Sequence, residues 1–94
     1  MKIFVTNTFL RAAKKLHRNH VTKLEEAIQK IKTNPDIGEA KIGDLAGIKV
    51  YKFHILHQLI LLAYLYNEKC NEITLVSFGS HANFYENLKK QPIN

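Results

Sequence analysis

A single cysteine, Cys70, stands in the 94 residues. No internal disulfide and no cysteine-based zinc site can form, which excludes a disulfide-stapled secreted scaffold. Tryptophan is absent, and two prolines and four glycines are too few for a linker-rich or low-complexity chain. Long hydrophobic runs are missing too: the longest, Leu59 to Tyr66, falls far short of the ~18 residues a membrane span needs. The opening stretch Met1-Lys2-Ile3-Phe4-Val5-Thr6-Asn7 turns polar too early for a signal-peptide core. Acidic residues are scarce, eight against fourteen Lys and Arg, for a net charge of +6. What remains is ordinary globular stock, 46% hydrophobic and 23% charged. A chain of this length buries only about 60–65% of its unfolded surface, so the core is modest. The expectation is one soluble, cytoplasmic domain spanning residues 1–94, with no membrane partner.

The positive charge is regional. Residues 1–33 hold Lys2, Arg11, Lys14, Lys15, Arg18, Lys23, Lys30 and Lys32 against only Glu25 and Glu26, whereas residues 34–94 carry six of each sign. Such a field suits a polyanionic partner, because phosphate contacts gain affinity from counterion release. The plainer reading is a solvated helix face.

Ile3, Phe4 and Val5 within Lys2–Thr6 predict a short, buried strand. Asn7 or Thr8 is the expected cap of a first helix, with Phe9, Ala12, Ala13 and Leu16 as its apolar stripe. Arg11, Lys14, Lys15 and Arg18 fall on its other side. Asn19 or Thr22 is expected to open a second helix, since Thr22-Lys23-Leu24-Glu25 has capping-box spacing. Its stripe is Val21, Leu24, Ile28 and Ile31, and Asn34-Pro35 ends it. Residues 34–47 have no period and read as loop. From Ile48 to Ile55 a strand is expected, with Tyr51, Phe53 and Ile55 on one face and Ile48, Val50, Lys52 and His54 on the other. Leu59–Tyr66 reads as a central strand covered on both faces. A turn at 67–71 leads to a strand at Glu72–Phe78. Gly79-Ser80 then opens a last helix that runs through Lys90 and stops at Pro92. The order β-α-α-β-β-β-α implies an α+β fold, an antiparallel sheet with a helical hairpin on one face.

Five histidines carry the available chemistry. His17 and His20 belong to the helical hairpin and read as surface residues. His54 ends a strand two residues after Lys52, His57 lies in the next turn, and His81 stands where the last strand becomes a helix. In an antiparallel meander these positions reach one end of the sheet, where Lys52, His54, His57, His81 and Tyr85 can line one pocket. With neither a His-x-x-x-His nor a His-x-His spacing, no metal site is expected. No cofactor is expected either. Two histidines and a lysine without metal suit phosphodiester cleavage. One imidazole takes a proton from the attacking hydroxyl, the other protonates the leaving oxygen, and lysine stabilises the charge that develops on phosphorus. RNA supplies its own nucleophile, the 2′-OH. The competing reading makes His54 a sheet residue and His81 a helix cap.

The segments Gly43-Asp44-Leu45-Ala46-Gly47, Val50-Tyr51-Lys52-Phe53-His54-Ile55, Leu62-Ala63-Tyr64 and Gly79-Ser80-His81-Ala82-Asn83-Phe84-Tyr85 resemble, in this order, the RelE/ParE superfamily of bacterial toxins. These are the toxins of type II toxin–antitoxin pairs. In the RelE-type ribosome-dependent mRNA endonucleases, a lysine-x-lysine on the second strand lines up with Lys52-Phe53-His54. Their strand-three arginine falls on Leu61, ahead of Tyr64, and is missing here. The YafQ-type branch is more similar. Its histidine-isoleucine is matched by His54-Ile55, its Gly-Thr-His by Gly79-Ser80-His81, and its later aromatic by Tyr85. Its acidic residue is replaced by Gln58, with His57 adjacent.

The resemblance implies a toxin that cleaves mRNA at the ribosome. His54 and His81 would be the acid/base pair, Lys52 and Lys49 would hold phosphate, His57 would assist, and Tyr85 would stack on or position a base. The basic residues Arg11, Lys14, Lys15 and Arg18 would lie against ribosomal RNA. A cognate antitoxin would neutralise the toxin, and the pair would bind operator DNA through the antitoxin. The alternatives are a ParE-like gyrase inhibitor without nuclease activity and a non-catalytic RNA-binding module.

Overall fold

The structure is a computed structural model that describes residues 1–82 and 84–91. Strand β1 (Lys2–Val5) runs directly into helix α1 (Asn7–Lys15), and Thr6 at the junction caps the helix in place of the expected Asn7 or Thr8. Its extended backbone is what an N-cap needs. Thr6 Oγ1 accepts the Phe9 N–H at 3.1 Å and donates to the Val76 carbonyl at 2.6 Å, so one hydroxyl fastens helix to sheet. At Leu16 the chain returns to extended geometry. His17 then caps α2 (Arg18–Thr33), its Nδ1 accepting from the Asn19 N–H at 3.1 Å. The second helix therefore starts ahead of Asn19 and Thr22, and Arg18 opens α2 instead of closing α1. Leu24, Ala27 and Ile31 form its buried stripe, and Asn34 ends it as expected.

The segment expected to be plain loop holds more structure. Glu39–Ala40 form a two-residue strand, β2, and Gly43–Leu45 a 3₁₀ turn that buries Leu45. Two residues are too few for a readable period. Strand β3 (Lys49–Ile55), β4 (Gln58–Asn67) and β5 (Glu72–Ser80) follow as the meander, and α3 (Phe84–Lys90) closes the described chain. Pro92, the expected stop of that helix, lies outside the described residues.

The sheet order is β1-β5-β4-β3-β2. β1 lies parallel to β5, and the other neighbours pair antiparallel. As an edge strand β1 has a neighbour on one side only, so Phe4 and Val5 remain 48% and 40% exposed instead of buried. Ile60–Tyr64 of central β4 are buried, as a strand covered on both faces requires.

Each face carries its own core. Phe9 of α1 and Leu24, Ala27 and Ile31 of α2 pack on Leu62, Tyr64, Ile73 and Leu75. On the opposite face Phe84 and Leu88 of α3, with Leu45 and Ile48, pack on Val50, Leu61, Ala63 and Val76. Lys52 and His54 fall with Val50 on the α3 face, and Tyr51 and Phe53 on the other, as alternation predicts.

Alternation fails once. Ala63 pairs with Ser77 but Tyr64 pairs with Leu75, which leaves Val76 as an extra residue, a β-bulge. Ile73 and Leu75 face the paired helices, and so does Phe78, three residues on, where its ring meets Phe9 edge-on at 5.0 Å. The bulge thus shifts the phase of β5. Residues after Phe78 alternate from that reset position, which directs His81 to the α3 side.

Candidate functional site

On the α3 face β3 supplies Lys52 and His54. Glu39 of β2 pairs with Val50. Paired residues share a face, and Lys52 lies two positions farther along, a diagonal neighbour at about 7–8 Å. Lys41, two residues past Glu39, continues that alternation. Its N–H donates to the Ile48 carbonyl at 2.9 Å, extending the ladder by one bond.

The lysine is held from two sides. Nζ of Lys41 donates to Glu39 Oε1 at 2.9 Å and lies 5.3 Å from the centroid of the Tyr85 ring, with 19% of its side chain exposed. The hydrogen bond from Lys41 is the main reason the Glu39 carboxyl falls below its usual range, and the charges of Lys41 and Lys52 add to it. Lys41 in turn is raised, first by Glu39 and then, against some burial, by Tyr85. Tyr85 stands edge-on to Phe84 at 5.3 Å, and Phe84 anchors α3 in the core. His81 meets the same Tyr85 ring edge-on at 6.1 Å.

A recess of about 510 Å³ opens beside this cluster, lined by Glu39, Lys41, Ile42, Asp44, Leu45, Tyr85 and Lys89. That is the size of a small-ligand site. Chemically it offers the ammonium groups of Lys41 and Lys89, the Tyr85 ring and the carboxylates of Glu39 and Asp44, with the His81 imidazole on the Tyr85 ring beside it.

Of the residues read from sequence, Lys52, His54, His81 and Tyr85 belong to this face. His54 pairs with Leu59, and Ser80 pairs with Ile60 one position earlier. Carried one residue past Ser80, that register sets His54 and His81 two strand spacings apart, about 10 Å between backbones. His54 also borders a groove along the outer edge of β3, with Lys23, Glu26, Lys30, Tyr51 and Phe53. The edge is open there because β2 pairs only as far as Val50.

Two expected members lie elsewhere. His57 occupies the β3–β4 turn beside Leu56, which has φ +56°, and lines a different recess with Leu16, His20, Ile55, Gln58 and Ile60. Lys49 pairs with Tyr64, on the face of α1 and α2, and its Nζ is 3.6 Å from Asp36 Oδ1. One pocket holding all five catalytic candidates is thus not what forms: His57 turns away at the hairpin tip, where the two-residue turn ends the alternation.

Arg11, Lys14, Lys15 and Arg18 are exposed, and none of them forms an ion pair among the described residues. Glu39 and Lys41 are hard to read in the sequence because they lie in a stretch without a period. The polar-apolar alternation of Glu39-Ala40-Lys41-Ile42 is the available signal.

Among the described residues no three His, Cys, Asp or Glu side chains gather to hold a metal ion. No helix among them is long and apolar enough to cross a membrane.

The fold has counterparts among solved structures. The toxin–antitoxin complex RelBE2 from Mycobacterium tuberculosis matches at a TM-score of 0.73 and 17% identity, covering 85% of this chain and 96% of that one. The YoeB/ParE toxin from Agrobacterium tumefaciens matches at 0.69 and 19%, covering 86% and 99%. The intact RelBE toxin–antitoxin complex of E. coli matches at 0.67 and 16%, covering 84% and 94%. At these identities the likeness concerns the fold. No curated protein matches the sequence significantly. The family profile described as the ParE-like toxin of type II bacterial toxin-antitoxin systems matches residues 3–89, nearly the whole described chain. The chain therefore belongs to the ParE-like toxins of type II toxin–antitoxin systems, within the RelE/ParE superfamily.

Proposed function

We propose that this toxin, one domain over residues 1–94, is an mRNA endonuclease that acts at the ribosome without metal. The observation that carries the reading is the gathering of Lys52, His54, Tyr85 and His81 on one face of the sheet. His54 and His81 act as general base and general acid on either side of the scissile phosphate. Lys52 stabilises the charge on phosphorus, and Tyr85 stacks on a base. His57 and Lys49 lie away from this face and take outer roles, contacting RNA beyond the scissile step. Arg11, Lys14, Lys15 and Arg18 bind ribosomal RNA. Among RelE/ParE members the histidine pattern favours the YafQ-type branch. Toxins of the RelE type have been solved bound to antitoxins in E. coli and M. tuberculosis, which supports a cognate antitoxin as partner here. Operator binding would then run through that antitoxin.

His81→Ala tests the reading. Loss of a general acid or base costs ~10²–10⁴ in rate, so growth arrest on induction should disappear while circular dichroism stays native. Cleavage by the wild type should survive chelator and leave 2′,3′-cyclic or 3′-phosphate and 5′-hydroxyl ends, since the 2′-OH is the nucleophile. A folded, fully toxic His81→Ala protein would transfer the case to gyrase inhibition, and 5′-phosphate products would refute cleavage through the 2′-OH.

A further inference from the structure

Glu39 stands where an anion belongs. Two lysines from different segments, Lys41 and Lys52, share its face, and Lys41 Nζ is already hydrogen-bonded to it at 2.9 Å. The same Nζ caps the Tyr85 ring at 5.3 Å, beside the 510 Å³ recess. Glu39 itself makes no contact that the core needs: its side chain is 65% exposed, whereas that of Lys41 is mostly covered. An exposed carboxylate therefore pins a covered cation that could serve another anion.

We propose that Lys41 is a phosphate-binding residue of the RNA site and that the Glu39 carboxylate is its built-in competitor, displaced when an RNA phosphate takes its place between Lys41 and Lys52. This rests on the RNA reading given above and adds a residue and a control element to it. A phosphate fits for two reasons. Lys41 has further N–H donors beyond the one given to Glu39, and charge-assisted bonds to phosphate are the strong class. The neighbouring Tyr85 ring offers the stacking surface that an attached nucleoside uses. The carboxylate weakens binding of non-cognate anions but is itself exposed and free to swing into solvent.

The test measures binding of a short 2′-O-methyl RNA oligonucleotide, which lacks the reactive hydroxyl and so reports binding without cleavage. The protein is the full chain, and amide and lysine NMR signals give affinities into the millimolar range. Lys41→Met should weaken binding at least about tenfold, the value of one charge-assisted contact. Glu39→Gln should tighten it about fivefold, the effect of removing one opposing charge near the surface. In the Lys41→Met background the same Glu39 change should lose most of its effect, because the two residues act as a pair.

Unchanged or weakened binding in Glu39→Gln overturns the competitor role. Unchanged binding in Lys41→Met, checked for folding by its amide spectrum, overturns the phosphate site, and so does a wild-type chain that does not bind the probe. Failure of the cleavage reading looks different. There the probe binds with the Lys41 and Glu39 dependence described, but programmed ribosomes yield no cut mRNA.

Discussion

Replacing Tyr64 by phenylalanine removes one oxygen atom from the middle of the protein and unfastens a loop 26 residues away in sequence. The ring is 0% exposed. Its Oη donates to the Pro35 carbonyl at 2.7 Å and accepts the Gly38 N–H at 2.9 Å, so it clasps both ends of the turn that leads into β2. Phenylalanine keeps the packing but strands a donor and an acceptor, each costing about 1–3 kcal/mol when left unpaired. With some relaxation toward water the loss should be about 2–4 kcal/mol. A chain of this size has roughly 5–14 kcal/mol in total. At about 4–8 °C per kcal/mol, the melting temperature should fall by about 8–32 °C. Urea unfolding followed by circular dichroism measures it.

The same clasp predicts a pH signature. Burial pushes the Tyr64 hydroxyl above its ordinary value of 10.0, with the Gly38 N–H opposing and Asp36 adding to the rise. A raised folded value means that the stabilisation is complete below the ordinary pKa and is lost as pH climbs through the folded one. The advantage of wild type over Tyr64→Phe should therefore be constant up to about pH 10 and shrink above it. A companion variant, Gly38→Ala, tests the contact from the other side, since an added Cβ would lie 2.6 Å from Tyr64 Oη and 2.8 Å from Cε1. A Tyr64→Phe protein within about 0.5 kcal/mol of wild type, the range of ordinary surface changes, would refute the reasoning.

Changing Arg11, Lys14, Lys15 and Arg18 to glutamate should weaken ribosome co-sedimentation and flatten its salt dependence by about 0.7–0.9 log units for each phosphate no longer neutralised. Stability should fall modestly, because glutamate at Arg18, the start of α2, gains from the helix dipole, whereas glutamate at Lys14 and Lys15, in the last turn of α1, loses, each by about 0.3–1 kcal/mol. Equal pelleting by wild type and variant at two salt concentrations would make this surface mere solubilising charge. At the β3–β4 turn Leu56 has φ +56° and is 79% exposed, so Leu56→Gly should relieve strain and raise stability by about 0.5–1 kcal/mol, as chemical denaturation would show. A net loss there would mean that the leucine side chain packs on a neighbouring surface.

What the sequence revealed depended on repetition. Leu24, Ile28 and Ile31 recur at helical spacing, and Leu59–Tyr66 is apolar without a break, so α2 and β4 were legible with nearly correct bounds. Lys52 and His54 lie two apart on a strand whose faces differ in polarity, and their shared face followed from that. Single events were not legible. β2 is two residues long, so Glu39 and Lys41 are marked only by the brief alternation Glu39-Ala40-Lys41-Ile42, too short to stand out from a loop. The Thr6 cap depends on a carbonyl 70 residues away. His57 groups with His54 by closeness along the chain, but the hairpin turn between them reverses direction and breaks the alternation.

The bulge at Val76 gives β5 an uneven tolerance to changes of length. The strand holds one residue more than its ladder with β4 requires. Deleting Val76 would close the ladder and still leave Phe78 opposite Leu62, hence under Phe9, with His81 continuing on the Tyr85 side. Inserting a residue offers no such escape: the strand must bulge again or turn its last residues over, carrying His81 to the wrong face. The deletion has its own casualty. The Val76 carbonyl accepts both Thr6 Oγ1 at 2.6 Å and Gln91 Nε2 at 3.0 Å, so a single peptide oxygen ties the start of α1 to the end of α3 through the thickness of the sheet. Descendants of this chain can shorten β5 only where they find another tie for those two ends.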